Sequence, residues 1–150
     1  MRTFASHPRR QRGFTLIETM CVVAIAGIVS GLAYPSYQHA VHKARRSDAL
    51  VAVLQVQMAQ ERYRADHGRC GSLAELRVAE RSSAGHYRLV LDAHDERGYA
   101  LHAIAHGLQQ SDATCRRLTL VVDGFDMTQA SGRDERSAND DAANRRCWGA

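Results

Sequence analysis

No nucleophile elbow, phosphate-binding loop or facing pair of carboxylates can be picked out of the 150 residues. The groups that hydrolytic or phosphoryl-transfer chemistry would need are therefore missing from the pattern. The eight histidines show no metal spacing with flanking acids. His102 and His106 stand four apart, a spacing that suits a metal on a helix, yet the alternation around them places them in or just past a strand. The expectation is no enzyme, no metal and no cofactor. Acid is absent from the first thirteen residues, which carry Arg2, Arg9, Arg10 and Arg12. Charge is almost absent from the next 21, Phe14 to Tyr34, where Glu18 stands alone. That run is long enough to cross a hydrocarbon core of roughly 30 Å as a helix.

Three N-terminal signals compete for this stretch. A cleaved secretory signal has a shorter apolar core and a small-residue cleavage site, and no convincing Ala-x-Ala follows here. A plain signal anchor fits the length and the flanking arginines but gives no reason for Glu18. A charge just inside an apolar segment is costly and usually functional. The third signal is one cut before the apolar run, so that the helix stays with the processed chain. Arg12-Gly13-Phe14-Thr15-Leu16-Ile17-Glu18 closely resembles the cleavage motif of type IV prepilins.

That resemblance implies that prepilin peptidase cuts between Gly13 and Phe14 and methylates the new amine of Phe14. It implies that Glu18 pairs with the N-terminal amine of a neighbouring subunit in a filament core, a carboxylate in an apolar bundle being tolerable chiefly when paired. Snorkelling of Glu18 to the interface is the plainer alternative. Pro35 matches a proline that in pilins marks a helix stretch able to loosen during assembly. Gly27 and Gly31 also form a Gly-x-x-x-Gly pair suited to close helix approach. Cys21, within the apolar helix, is expected to pack as a small buried hydrophobe. With the leader removed, sixteen Lys and Arg face sixteen Asp and Glu, so the excess of base belongs to the leader.

Beyond the apolar run the helix continues into water. Leu50, Val53, Leu54 and Met58 form a stripe on one face, and Gly68 is placed to end the helix. Residues 69–84 read as loop with a short helical turn at Leu73–Val78. Period-two alternation follows in Tyr87, Leu89 and Leu91, in Tyr99, Leu101 and Ala103, and in Leu118, Leu120 and Val122. Asp123-Gly124 signals a turn, with Phe125 to Gln129 as the returning strand. From Ala130 to Arg146 the composition is that of surface loop. The exported cysteines are Cys70, Cys115 and Cys147, and their spacing leaves Cys70–Cys115 as open as Cys115–Cys147.

The resulting expectation is an α+β chain of the type IV pilin fold. A leader spans 1–13, a transmembrane and filament-core helix 14–35, its amphipathic continuation 36–68, and a globular head 69–150. The head holds a three- or four-stranded antiparallel sheet within 86–129 and a C-terminal loop over 115–147. Ala33-Tyr34-Pro35-Ser36-Tyr37-Gln38, Arg45-Arg46-Ser47-Asp48-Ala49 and Gln60-Glu61-Arg62-Tyr63 are similar to stretches of minor pilins. The ending, Cys115, Leu118-Thr119-Leu120, Gly124 and Cys147-Trp148, is similar to the branch that includes DNA-uptake-sequence receptors. It implies a Cys115–Cys147 bridge that ties the loop to the sheet. The extra Cys70, and Asp66-His67-Gly68-Arg69-Cys70 in place of the family's usual helix end, depart from that pattern.

The implied function is that of a minor pilin, a single-pass inner-membrane protein before assembly and part of a surface pilus afterwards. Its partners would be other pilin subunits, prepilin peptidase and the inner-membrane assembly platform. DNA capture is an alternative, because Arg116, Arg117, Arg145 and Arg146 flank the implied bridge and phosphate contacts need such clusters. Against it, residues 116–146 hold six arginines and six acids, the mix of a solvated loop. A pseudopilin of a type II secretion system shares the same N-terminus and is the remaining alternative.

Overall fold

The structure, a computed structural model, describes residues 13–93 and 98–149. Apart from Gly13, the arginine-rich leader lies outside the described residues. The chain divides into two units, residues 1–38 and 39–150, and each is taken by itself.

The first unit holds the start of helix α1, Leu16–His67. This helix contains a segment long and apolar enough to cross a membrane. Every large apolar side chain from Phe14 to Tyr37 is exposed. A β-carbon at Gly27 or Gly31 would meet open space. Cys21 is exposed on the single chain like its apolar neighbours, since one chain offers this surface nothing to pack against. Pro35 sits inside the helix, where its ring nitrogen has no hydrogen to donate to the Gly31 carbonyl.

In the second unit α1 buries Ala49, Ala52, Val53, Val56 and Gln60, the i, i+3, i+4, i+7, i+11 spacing of one helix face. Of the expected stripe only Val53 is buried. Leu50 is partly covered, and Leu54 and Met58 are exposed. The seam is rotated toward two alanines, whose small side chains let the helix backbone lie close to the strands. Gly68, in the left-handed region at φ 72°, donates its N–H to the Arg64 carbonyl and ends the helix at no steric cost.

Four strands follow: β1 Tyr87–Ala93, β2 Gly98–Ala105, β3 Arg117–Asp123 and β4 Asp126–Gly132. They form one antiparallel sheet in the order β1-β2-β3-β4. The register sets Leu89 opposite Ala103 and Ala103 opposite Leu118, then Leu91 opposite Leu101 and Leu101 opposite Leu120. Alternation therefore turns one face of each strand toward the core, as expected. Tyr87, Leu89, Tyr99, Leu101, Ala103, Leu118, Leu120 and Val122 are buried with the α1 seam in one cluster.

The chain departs from expectation at two places after β3. Phe125, read as the start of the returning strand, lies with Gly124 in the two-residue turn between Asp123 and Asp126 and is fully exposed. The stretch read as surface loop from 130 is partly ordered structure. β4 runs on to Gly132, and a second helix, α2, covers Asp141–Trp148. Asp140 starts α2 by accepting the Ala143 N–H at 2.7 Å, the standard N-cap arrangement. Ala143 and Cys147 are its buried face. Too few apolar residues stand there for periodicity to show, since the disulfide does the holding.

Between β4 and α2 the chain doubles back, and Gly132 bridges to Ala138. A β-carbon at Gly132 would overlap the Ser137 carbonyl oxygen, which is backbone and cannot rotate away. Gly132→Ala should therefore lower unfolding stability by about 1–3 kcal/mol, read as a reduced urea midpoint. An unchanged midpoint would show that the loop yields freely.

Candidate functional site

The residues singled out at the N-terminus begin at Gly13 and Phe14, both exposed, with Phe14 at 84%. Thr15 directly precedes the helix. Its hydroxyl accepts the Glu18 N–H at 3.3 Å, and its own N–H points to the Glu18 carboxylate at 3.5 Å. This is a reciprocal capping box, Thr-x-x-Glu, which satisfies two of the N–H groups that a helix start leaves without partners. The acid also stands where the positive end of the helix dipole favours negative charge. Glu18 thus has a role within a single chain, before any neighbour arrives. The motif was present in the sequence, but the weight given to pairing between subunits hid it.

At the far end of the chain the bridge is Cys115–Cys147, with Cα atoms 5.4 Å apart and a sequence separation of 32. Both sulfurs are buried. In the chain-entropy picture a loop of this size contributes about 3–4 kcal/mol. Cys70 is a buried thiol outside the disulfide, so the alternative pairing with Cys115 does not occur.

The four flanking arginines are not equivalent. Arg117 pairs with Glu135 at 2.8 Å and lines a cleft with His102 on the sheet side. Arg116 donates Nε–H to the Gln110 carbonyl at 2.9 Å. Arg145 and Arg146 are exposed on α2, and Arg146 lines a different cleft, with His39, Lys43 and Arg46. The disulfide brings the two pairs into one region of chain, but the side chains have separate surroundings.

Two polar latches join α1 to the head, and pattern reasoning missed both. Arg46 donates to Asp112 through Nε at 2.7 Å and through its terminal nitrogen at 2.9 Å, a two-pronged pair that is geometrically specific. The side chains are only 13% and 6% exposed. Buried Gln109 donates to Asp112 and to the Tyr87 hydroxyl, both at 3.1 Å. Burial pushes the Tyr87 phenol up to about 12, and Gln109 opposes this only in part. In the second latch Asp48 accepts from the Ser82 and Ser83 hydroxyls and from the backbone N–H of Ala84 and His86. Burial alone would raise the Asp48 carboxyl, but these four bonds together outweigh it and hold it below its ordinary 3.8. The signal was Asp48 itself, an acid on the inward side of a helix, but its partners lie 34 or more residues away.

An exposed apolar helix opened by a capping box, in one chain with a disulfide-closed antiparallel sheet, is the make-up of a type IV pilin. The family described as "Type IV minor pilin ComP, DNA uptake sequence receptor" matches residues 35–119, and the chain belongs to it. The prokaryotic N-terminal methylation motif matches residues 8–34. Among curated relatives, a type IV major pilin protein PilE1 of Neisseria gonorrhoeae is 41% identical over 59 residues, 39% of this chain and 36% of that protein. Prepilin peptidase-dependent protein D of Escherichia coli K12 is 41% identical over 59 residues, 39% of this chain and 40% of its own. Type II secretion system core protein G of Pectobacterium carotovorum is 37% identical over 60 residues, 40% of this chain and 38% of its own. The chain thus spans little more than a third of the length of the relatives it matches.

Breaking a buried ion pair from one side strands the other charge. Arg46→Ala should cost about 3–5 kcal/mol for that reason, and chemical denaturation will read it. Asp48 has a lowered carboxyl in the fold, so its contribution is full above about pH 4 and is lost as pH falls below that. Asp48→Asn should melt lower than the parent at neutral pH and lose less on acidification. Parallel melting curves across pH 3 to 7 would remove Asp48 from the acid response.

Proposed function

We propose that this chain is a minor pilin subunit, anchored by its N-terminal helix and assembled through that helix with other pilin subunits into a filament. The observation that carries the reading is the exposed apolar surface from Phe14 to Tyr37 behind a capped Glu18. In a bilayer that surface is covered by lipid, and in a filament by other helices. Prepilin peptidase, cutting between Gly13 and Phe14 and methylating Phe14, is the processing partner this reading requires. Cleavage frees an amine one residue before Thr15, and a neighbour's amine then competes with the Thr15 N–H for the Glu18 carboxylate. The capping box is weak enough to be exchanged, with one of its two bonds at 3.5 Å. The inner membrane before assembly, with its assembly platform, and the cell surface afterwards are the locations that follow.

DNA binding is a second reading. The family's description as a DNA uptake sequence receptor favours it, and so do the exposed Arg145 and Arg146. Its mark would be affinity that falls steeply with salt, since phosphate contacts release counterions. A pseudopilin role draws support from the likeness to core protein G, while the disulfide followed by Trp148 favours the pilus.

Mass spectrometry of the protein recovered from cells should give an N-methylated Phe14 as first residue and one internal disulfide. Glu18→Gln should still be exported and cut, yet enter sheared filaments at least tenfold less, roughly what losing a 1.4 kcal/mol interaction would produce. Recovery of a chain that still begins at Met1, or of one lacking the apolar run, would falsify the reading.

A further inference from the structure

In the second unit a cleft of about 520 Å³ is lined by His39, Lys43, Arg46, Asp112, Thr114 and Arg146 among others. Its charges are unequal in availability. Arg46 and Asp112 satisfy each other, Arg46 also donates to the Arg146 carbonyl at 3.3 Å, and Gln109 fills a further position on the Asp112 carboxylate. The one acid on the wall is therefore neutralised and committed. Lys43 and Arg146 have no carboxylate partner among the described residues, so the cleft carries two uncommitted cations beside the Thr114 hydroxyl and the His39 ring. The frame is stiff, because Arg146 neighbours the bridged Cys147 and Lys43 stands three residues before the buried Arg46. A lysine and an arginine converging on one cleft suit the oxygens of a phosphate.

The position along the chain selects the source of that phosphate. Tyr34 and Tyr37 are exposed, and such amphipathic rings sit at membrane–water boundaries. His39 and Lys43 come only five and nine residues after Tyr34 in the sequence, so the chain itself keeps the cleft within a short tether of that boundary. The polar headgroup layer occupies the first several ångströms beyond the hydrocarbon core. We infer that this cleft binds the phosphate of an anionic phospholipid headgroup on the exported side of the membrane, holding the head at the bilayer while the subunit awaits assembly. The inference rests on the membrane-anchored reading above. In this state Lys43 and Arg146 donate hydrogen bonds to the phosphate oxygens, and extraction into a filament has to break them.

Trp148 is the only tryptophan in the chain; it lies on a neighbouring cleft with Leu50 and Leu54, so its fluorescence reports how close this side of the head stands to the bilayer. The full chain is placed in nanodiscs of phosphatidylcholine alone or with added phosphatidylglycerol, each with the same fraction of lipid spin-labelled at the headgroup. Quenching of Trp148 should be about twofold stronger in the anionic discs and should weaken as salt rises. Lys43→Gln with Arg146→Gln should return it to the neutral-disc level at an unchanged melting temperature. Equal quenching in both discs, or anionic quenching that survives the double substitution, overturns the inference and leaves anchoring intact. A chain that does not enter even neutral discs overturns both. Inorganic phosphate abolishing the anionic-disc effect at low millimolar concentration would make this a free-anion site. Short duplex DNA doing so at micromolar concentration would make it a nucleic-acid contact, and either result rejects the lipid assignment.

Discussion

Twelve large apolar side chains between Phe14 and Tyr37 are exposed on the single chain, and the rest of the molecule is built around that constraint. Water makes such a surface unfavourable by roughly 25 cal/mol for each square ångström left uncovered. Only lipid or other apolar helices can cover it. Both are media in which every backbone polar group must be satisfied within the segment, and a helix does this everywhere except at its ends. The exposed end therefore needs its own solution. The Thr15–Glu18 capping box supplies one, placing the single acid of the apolar run where it can serve unpaired N–H groups instead of standing alone.

A head attached to such a helix has to hold together without the apolar segment's help. Its core draws on the later part of α1, through Ala49, Ala52, Val53 and Val56, and on the inward faces of β1, β2 and β3. Small residues on the helix side limit the area that can be buried there. Much of the attachment is polar instead. Arg46 with Asp112, and Asp48 with the 82–86 turn, fix the helix to two different parts of the head. Buried pairs of this kind add little net energy beyond their desolvation but tolerate only one geometry. The disulfide acts on a third part. It ties α2 to the 3-10 turn at Ala113–Cys115 and so holds a C-terminal segment with hardly any apolar surface of its own.

Legibility in the sequence followed the range of the interaction. The strands could be read because alternation is a local pattern, and the expected inward residues Tyr87, Leu89, Leu101 and Leu120 are the buried ones. Gly68 could be read because only a left-handed residue ends a helix so sharply. The helix seam was misread by part of a turn. Leu54 and Met58 are the larger apolar residues, yet the sheet packs on alanines, and which face is used depends on where the strands lie. Helix α2 went unseen because its apolar content is two alanines, a cysteine and a tryptophan. Its N-cap, Asp140, was the clue available. At the candidate sites, Gly13, Phe14 and Glu18 stood out as a contiguous motif. The partners of Arg46 and Asp48, and the cleft shared by Lys43 and Arg146, join residues up to about a hundred positions apart.

By itself the sequence determined the anchor, the alternating strands, the turn at Gly124 and the likeness to pilins, since each is written in residues within a few positions of one another. Cysteine spacing left the pairing open and the likeness to pilins pointed to Cys115–Cys147, the bridge that the structure forms. Tertiary structure alone decided that Cys70 is buried, which face of α1 meets the sheet, and which arginines are committed. Those outcomes depend on distances between chain segments that no local pattern encodes, and a disulfide or a two-pronged ion pair forms only where the folded backbone brings its atoms within bonding reach.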